Sequence, residues 1–193
     1  MAKISVIIPT PCDRKNTLML NKCINSLIKY KSPNHEYDMW IVANNYTGFS
    51  NNVNYGIKRS KSDYVFILND DTEILGYGWE DIMLKKLNES PDIGIVGHVQ
   101  SAQHGKYSAL WCTMIKREIF DKIGLLDEDM NIYSQDIAFG YLALKQGIRT
   151  EFVELPIQHL GSQTTNRLPQ QEELKRQAKK VFFEKHGVNH DDI

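Results

Sequence analysis

Apolar residues along this chain recur with two spacings in alternation: short unbroken runs, and stripes that repeat every three or four positions. The run Ile4-Ser5-Val6-Ile7-Ile8 is β-branched and closes on Pro9-Thr10-Pro11, which predicts a buried strand ending sharply in a loop. Leu20, Cys23, Ile24, Leu27 and Ile28 then share one helical face, with Asp13 or Asn16 as the cap. Residues 39–43 give a second strand, followed by the polar loop Asn44-Asn45-Tyr46-Thr47-Gly48 and a short helix carrying Val53 and Ile57. A third strand covers residues 64–68. Trp79, Ile82, Met83 and Leu87 form the next helical stripe, and Ser90-Pro91 breaks it before a strand at 93–96. This alternation predicts an α/β domain with a mostly parallel central sheet flanked by helices.

The second half is less regular. A polar loop at 98–106 precedes an apolar segment at 109–115 and a helix with Ile119, Phe120 and Ile123 ended by Gly124. Residues 135–146 read as a helix with Ile137, Tyr141 and Leu144 on one face. Two extended pieces flank Pro156, and 172–185 reads as an amphipathic helix turning Leu174, Ala178, Val181 and Phe182 inward. In such sheets ligands bind beyond the carboxyl ends of the strands, so the loops at Thr10, Asn44 and Asp71 are expected on one edge.

At 193 residues the chain fits a single domain with a real core, and no internal repeat or linker divides it. The net charge of −1 gives no basic field, which argues against nucleic acid as a main partner. Three cysteines, an odd number without CxxC spacing, argue against a disulfide framework and a zinc knuckle and favour a reducing, cytoplasmic setting. The opening apolar run is too brief for a signal peptide or membrane span, so no transmembrane segment is expected. Lys175, Arg176, Lys179 and Lys180 line one helix face. Its simplest reading is a solvated surface, and peripheral contact with anionic lipid is the alternative.

The chemistry concentrates where Tyr64-Val65-Phe66-Ile67-Leu68 stops at Asn69-Asp70-Asp71. Two ionised carboxylates cannot point into a core without a large desolvation cost, so they are expected at the strand's exposed end, holding a divalent metal and through it a diphosphate. A turn or cap is the ordinary alternative for either Asp. Asp136 stands near a helix start, where capping competes with a role as general base. His159 ends a short extended piece, with Ser162, Thr164 and Thr165 beyond it, and is either structural or a ligand for metal or diphosphate oxygens. Trp111 and Tyr107 are either core or a sugar-stacking platform.

In order and spacing these stretches resemble the family 2 glycosyltransferases, inverting enzymes of the GT-A fold that use nucleotide-sugar donors. The similarity runs through Ser5-Val6-Ile7-Ile8-Pro9-Thr10, the Asn54-Tyr55-Gly56 step, Asn69-Asp70-Asp71 in place of the DXD-type motif, the acceptor-side stretch 111–128, Gln135-Asp136 and His159. It implies a donor-binding half at about 1–100 and an acceptor and base half at about 101–193. Asp71, with His159, would bind Mn2+ or Mg2+; Asp70 would lie against the donor's ribose or diphosphate, and His159 would also anchor the diphosphate. Thr10, Asn44, Asn45 and Asn54 would line the nucleotide, expected to be that of a UDP-sugar, and Asp136 would be the base acting on a glycan or other hydroxyl acceptor. The chain departs from the family where Pro11-Cys12-Asp13-Arg14 replaces Tyr-Asn-Arg, where Asn44 or Asn45 replaces an Asp, and where Gln135, Ala138 and Leu142 surround Asp136. Two other readings follow from these residues. One is a binding module of the same fold that has lost its chemistry; the other is a sugar-phosphate nucleotidyltransferase, against which the Gly-free loop after the first strand counts.

Overall fold

The computed structural model describes residues 1–11, 17–43, 48–103, 105–130, 132–161 and 170–192; the expected caps Asp13 and Asn16, the loop residues Asn44 and Asn45, and Ser162, Thr164 and Thr165 lie outside them. Strands β1 (Lys3–Thr10), β2 (Glu36–Ala43) and β3 (Tyr64–Leu68) run parallel with β1 in the middle. Alternate residues serve opposite faces, as the pleat requires. Ile4, Val6, Ile8, Phe66 and Leu68 meet one layer of helices, while Ile7, Val65 and Ile67 meet the other.

The first layer is α1 (Thr17–Tyr30) and α3 (Trp79–Leu87), which bury Cys23, Leu27, Trp79, Met83 and Leu87; Phe66 stacks on Trp79 with ring centroids 4.5 Å apart. The second is α2 (Phe49–Arg59), α4 (Arg117–Ile123) and α5 (Gln135–Lys145). Close approach is built in at Gly56, where a Cβ would stand 2.8 Å from Ile7 Cγ2. The terminal helix α6 (Gln171–His186) docks through Ala178 and Phe182, Phe182 joining Tyr107, Met130 and Ile137. Its basic residues are paired: Lys175 with Glu172, Arg176 with Glu173, Lys179 with Asp191 and Lys180 with Glu184, which is the solvated-surface reading. Among the described residues no helix is long and apolar enough to cross a membrane.

Three residues expected inside the helical stripes face solvent. Ile28, Ile82 and Leu144 are 54%, 39% and 48% exposed. In α1 the inward face is turned by Ser26, whose hydroxyl donates to the Cys23 carbonyl and accepts from Ile74 N. In α5 the inside is taken by Ile137, Ala138, Phe139, Gly140 and Ala143, small residues beside long ones, and Leu144 is left on the outer side. At Gly140 a Cβ would meet the Tyr107 ring at 2.5 Å.

The expected apolar segment at 109–115 becomes β8 (Cys112–Lys116), after two short ribbon strands, β6 (Ala102–Gln103) and β7 (Tyr107–Ser108). β8 sits between β3 and β5 (Ile93–His98) and is antiparallel to both, because no crossover helix carries the chain back between β5 and β8. β9 (Arg149–Val153) runs parallel to β5 and completes the order β2-β1-β3-β8-β5-β9, a mostly parallel sheet with one reversed strand. A separate ribbon pairs β4 (Thr72–Ile74) with β10 (Ile157–His159) in antiparallel register, setting His159 opposite Thr72.

Candidate active site

Asp70 and Asp71 occupy the turn from β3 into β4. The turn is bound on several sides: Asn69 N donates to the Trp111 carbonyl at 2.9 Å, and the Asn69 carbonyl accepts from the Thr72 hydroxyl at 2.5 Å and from Cys23 Sγ at 3.5 Å. The two carboxylates were expected at an exposed strand end. They lie at the end of β3 but under cover, at 4% and 3% exposure. Thr10, the last residue of β1, donates through its hydroxyl to Asp70 Oδ2 at 2.6 Å. His159 Nε2 lies 3.0 Å from Asp71 Oδ1, and Leu160 N donates to the Asp71 carbonyl at 2.9 Å. Buried carboxylates cost several kcal/mol unless partners offset the loss of water, and these two have such partners.

Neither Trp111 nor Tyr107 is a sugar platform. Trp111 is 6% exposed and stacks on His159, centroids 4.5 Å apart and planes 10° from parallel, with His98 against it at 5.3 Å. Tyr107 is buried among α5 and α6 residues.

Asp136 is the second residue of α5, which the chain enters through Ser134 in the left-handed region at φ 66° and without a side-chain cap. Leu110, next to Trp111, also has positive φ at 55°, so two non-glycine residues of this conformation flank the site. Asp136 does not cap. Its Oδ1 accepts from Ile137 N at 2.9 Å and its Oδ2 from Gln103 Nε2 at 2.6 Å. The residue keeps some accessible surface, but protein surrounds the carboxyl itself, and that burial raises its pKa against the lowering effect of the two hydrogen bonds.

Five buried side-chain atoms lack a hydrogen-bond partner among the described residues, and two adjoin these acids: Asn69 Oδ1 beside Asp70, and Gln135 Oε1 beside Asp136. Unsatisfied acceptors of this kind are costly and suit a ligand that donates to them. Gln103 and the Trp111 stack had no separate signal in the sequence, since both depend on the path of the chain between β5 and β8.

Asn54 does not join this cluster. It is buried in α2, where its amide donates to the Leu126 carbonyl at 2.8 Å and Glu128 Oε1 at 2.9 Å and accepts from Leu126 N at 3.0 Å. Arg117 likewise holds the exit of α2 through Ser60 Oγ and the carbonyls of Ile57 and Ser62. Parts of the acceptor-side stretch are therefore internal ties.

A divalent cation fits the donor set without a full protein cage. Among the described residues no group of three or more His, Cys, Asp or Glu side chains is assembled to hold one. Carboxylate oxygen from Asp71 and imidazole nitrogen from His159 suit Mn2+ or Mg2+, and such ions commonly keep most of their positions for water and substrate phosphate. His159 Nε2 would serve such an ion only as the unprotonated nitrogen, in place of its present contact with Asp71. Cys23 and Cys112 are free and buried, and burial pushes the Cys23 thiol up to about 12, which keeps it out of the chemistry.

Comparison with curated proteins gives no match. Among solved structures, a mannosyltransferase from Pyrobaculum calidifontis in complex with GDP-Man and Mn2+ is similar at TM-score 0.63 and 12% identity, over 79% of this chain and 55% of that one. GalNAc-T7 with UDP, GalNAc and Mn2+ gives 0.62 and 12%, over 82% of this chain and 44% of that one. The catalytic domain of Drosophila beta1,4galactosyltransferase 7 in complex with xylobiose gives 0.62 and 14%, over 99% and 84%. This chain thus spans about half the length of the first two, and the shared feature is the GT-A fold. The sequence profile of the family described as Glycosyl transferase family 2 matches residues 40–145, a stretch that runs from β2 into the end of α5 and includes Asp70, Asp71 and Asp136. With more than half of its length so matched, the chain belongs to glycosyl transferase family 2.

Proposed function

We propose that the protein is an inverting glycosyltransferase that moves a sugar from a nucleotide-diphosphate donor, with UDP-sugars first to be tested, to a hydroxyl of a glycan or other acceptor. The observation that carries this reading is the Asp71–His159 contact at the carboxyl edge of the sheet. The segment leading through Gln103 and Trp111 connects that edge to Asp136. Thr10 and Asp70 face the donor's ribose or diphosphate.

The transfer is a single displacement. The Asp136 carboxylate takes the proton of the acceptor hydroxyl while that oxygen bonds to the anomeric carbon; the bond from that carbon to the diphosphate oxygen breaks, and its electron pair leaves with the diphosphate. Attack opposite the leaving group inverts the configuration. When bound at Asp71 and His159, Mn2+ or Mg2+ supplies charge neutralisation for the departing diphosphate. Burial makes Asp136 a stronger base than a solvated carboxylate, because the neutral form it takes on in the reaction is the one favoured there. Gln135 Oε1 offers an acceptor to a second hydroxyl of the incoming sugar. Free buried cysteines suit a reducing compartment, and we assign the protein to the cytoplasm.

A thermal-shift screen of UDP- and GDP-sugars with and without Mn2+ tests the reading, because a ligand of the native state raises Tm. The expected result is a metal-dependent shift with one donor, followed by release of the free nucleoside diphosphate and a product of inverted anomeric configuration by NMR. Stabilisation without release would replace the enzyme reading by a binding module. No shift with any donor would remove the nucleotide-sugar assignment.

A further inference from the structure

The β6–β7 ribbon stands on the carboxyl edge outside the main sheet, and its base is fixed by buried hydroxyls. Ser101 Oγ donates to the His98 carbonyl at 2.7 Å and lies 3.0 Å from Ser108 Oγ, which lies 2.6 Å from Thr113 Oγ1. With the Ser101 hydrogen committed, the chain has one direction: Thr113 donates to Ser108, and Ser108 donates to Ser101. The packing of Tyr107 against Gly140 seats the ribbon on α5. From this mount Gln103 reaches Asp136.

We propose that Gln103 is a positioning residue for the base: its amide and the Ile137 N–H each grip one oxygen of Asp136, fixing the plane in which the carboxylate meets the acceptor hydroxyl. The inference rests on the reading of Asp136 as the base. Each carboxylate oxygen keeps a second lone pair, so the grip leaves room for the incoming proton. Both contacts donate, and so favour the ionised form against the burial that opposes it. A lysine in the same place would hold the carboxylate as an ion pair and weaken its basicity more. A neutral amide orients it at smaller cost. The other titratable group acting on Asp136 is His190, after α6, whose charged form also favours the carboxylate and whose Nδ1 lies 3.1 Å from Asp191 Oδ1.

The experiment is a carboxyl 13C NMR pH titration of the intact protein and of Gln103→Leu. Asp136→Asn identifies the signal, and His190→Gln in both backgrounds removes the imidazole's contribution. The Asp136 midpoint is expected to move to higher pH in Gln103→Leu and further in Gln103→Glu, where a like charge replaces the donor. Gln103→Met repeats the test with a longer apolar side chain should leucine disturb the ribbon. Coincident titration curves for Gln103→Leu, Gln103→Met and wild type would overturn the role of Gln103. Turnover that survives in Asp136→Asn, measured with the donor that gives the thermal shift, would instead overturn the base assignment, and this inference with it. Lost turnover in Asp136→Asn alongside unmoved curves overturns the Gln103 role alone.

Discussion

Trp111 and His159 lie face to face, and the imidazole so held presents Nε2 to Asp71. Because the indole fixes the ring plane, it acts on any ion bound there without touching it. Trp111→Leu is expected to weaken Mn2+ binding by about 10- to 100-fold, the usual loss when the support of a ligand is removed. Trp111→Phe should keep most of the affinity. Electron paramagnetic resonance titration of free Mn2+ measures this without a sugar donor, and equal affinities in wild type and Trp111→Leu would rule the support out.

Under the proposed mechanism, Asp71→Asn removes a charge that would matter most as the diphosphate leaves. Its kcat is expected to fall by a factor of about 100 or more, with a smaller change in donor KM, since an interaction stronger in the transition state than in the ground state appears in turnover. A raised KM with unchanged kcat would place Asp71 in ground-state binding only.

Asp136→Asn separates catalysis from stability. Turnover should drop by about 100-fold or more. Burial raises the pKa of the folded carboxyl above its unfolded value, so the folded state holds the proton more tightly. The associated stabilisation is complete below the unfolded carboxylate range and is lost as pH rises through the raised folded value. Asparagine carries no such cost, and Gln103 can turn its amide oxygen toward the new NH2 group. Relative to wild type, the variant is therefore expected to gain Tm on going from acid to neutral pH. A Tm difference that does not change across that range would contradict the buried charge.

Gly140→Ala tests whether the ribbon and α5 move as one. The new methyl would stand 2.5 Å from the Tyr107 ring, so either the ring or the helix must shift. A cost of about 1–3 kcal/mol in denaturant unfolding is expected, typical of overpacking. Loss of turnover beyond the stability effect should accompany it, because Gln103 and Asp136 sit on the two displaced pieces. Full stability in this variant would show that the contact is slack.

Much of the fold was legible because unbroken apolar runs and period-3.6 stripes report burial directly. The runs at 4–8 and 64–68 became β1, which continues through Pro9 to Thr10, and β3, and the Trp79 and Phe182 stripes became α3 and α6. The polarity of β8 was not legible, since an apolar run reads the same in either direction. Ile28 and Leu144 misled because a hydrophobic stripe does not reveal where a serine or a small residue takes an inward position, and Ile82 because Trp79, Met83, Leu84 and Leu87 fill the inner face of α3. Among candidate site residues, Thr10, Asp70, Asp71 and His159 come together in space. Asn54 does not, because its amide is spent on the Leu126 backbone and Glu128. Gln103 could not be found from spacing, since a polar residue in a polar loop carries no periodic signature.

Reversal of β8 decides what the excursion after β5 can do. A strand laid down parallel to β5 would have sent the intervening peptide across a helical layer to the amino ends of its neighbours. Turning back instead returns the chain to the carboxyl ends of the strands, where Gln103 and Trp111 are both found. The β6–β7 ribbon it carries pairs with no strand of the main sheet, so under the proposed function a graft of this excursion should alter which hydroxyl is chosen without retuning the six-stranded scaffold beneath.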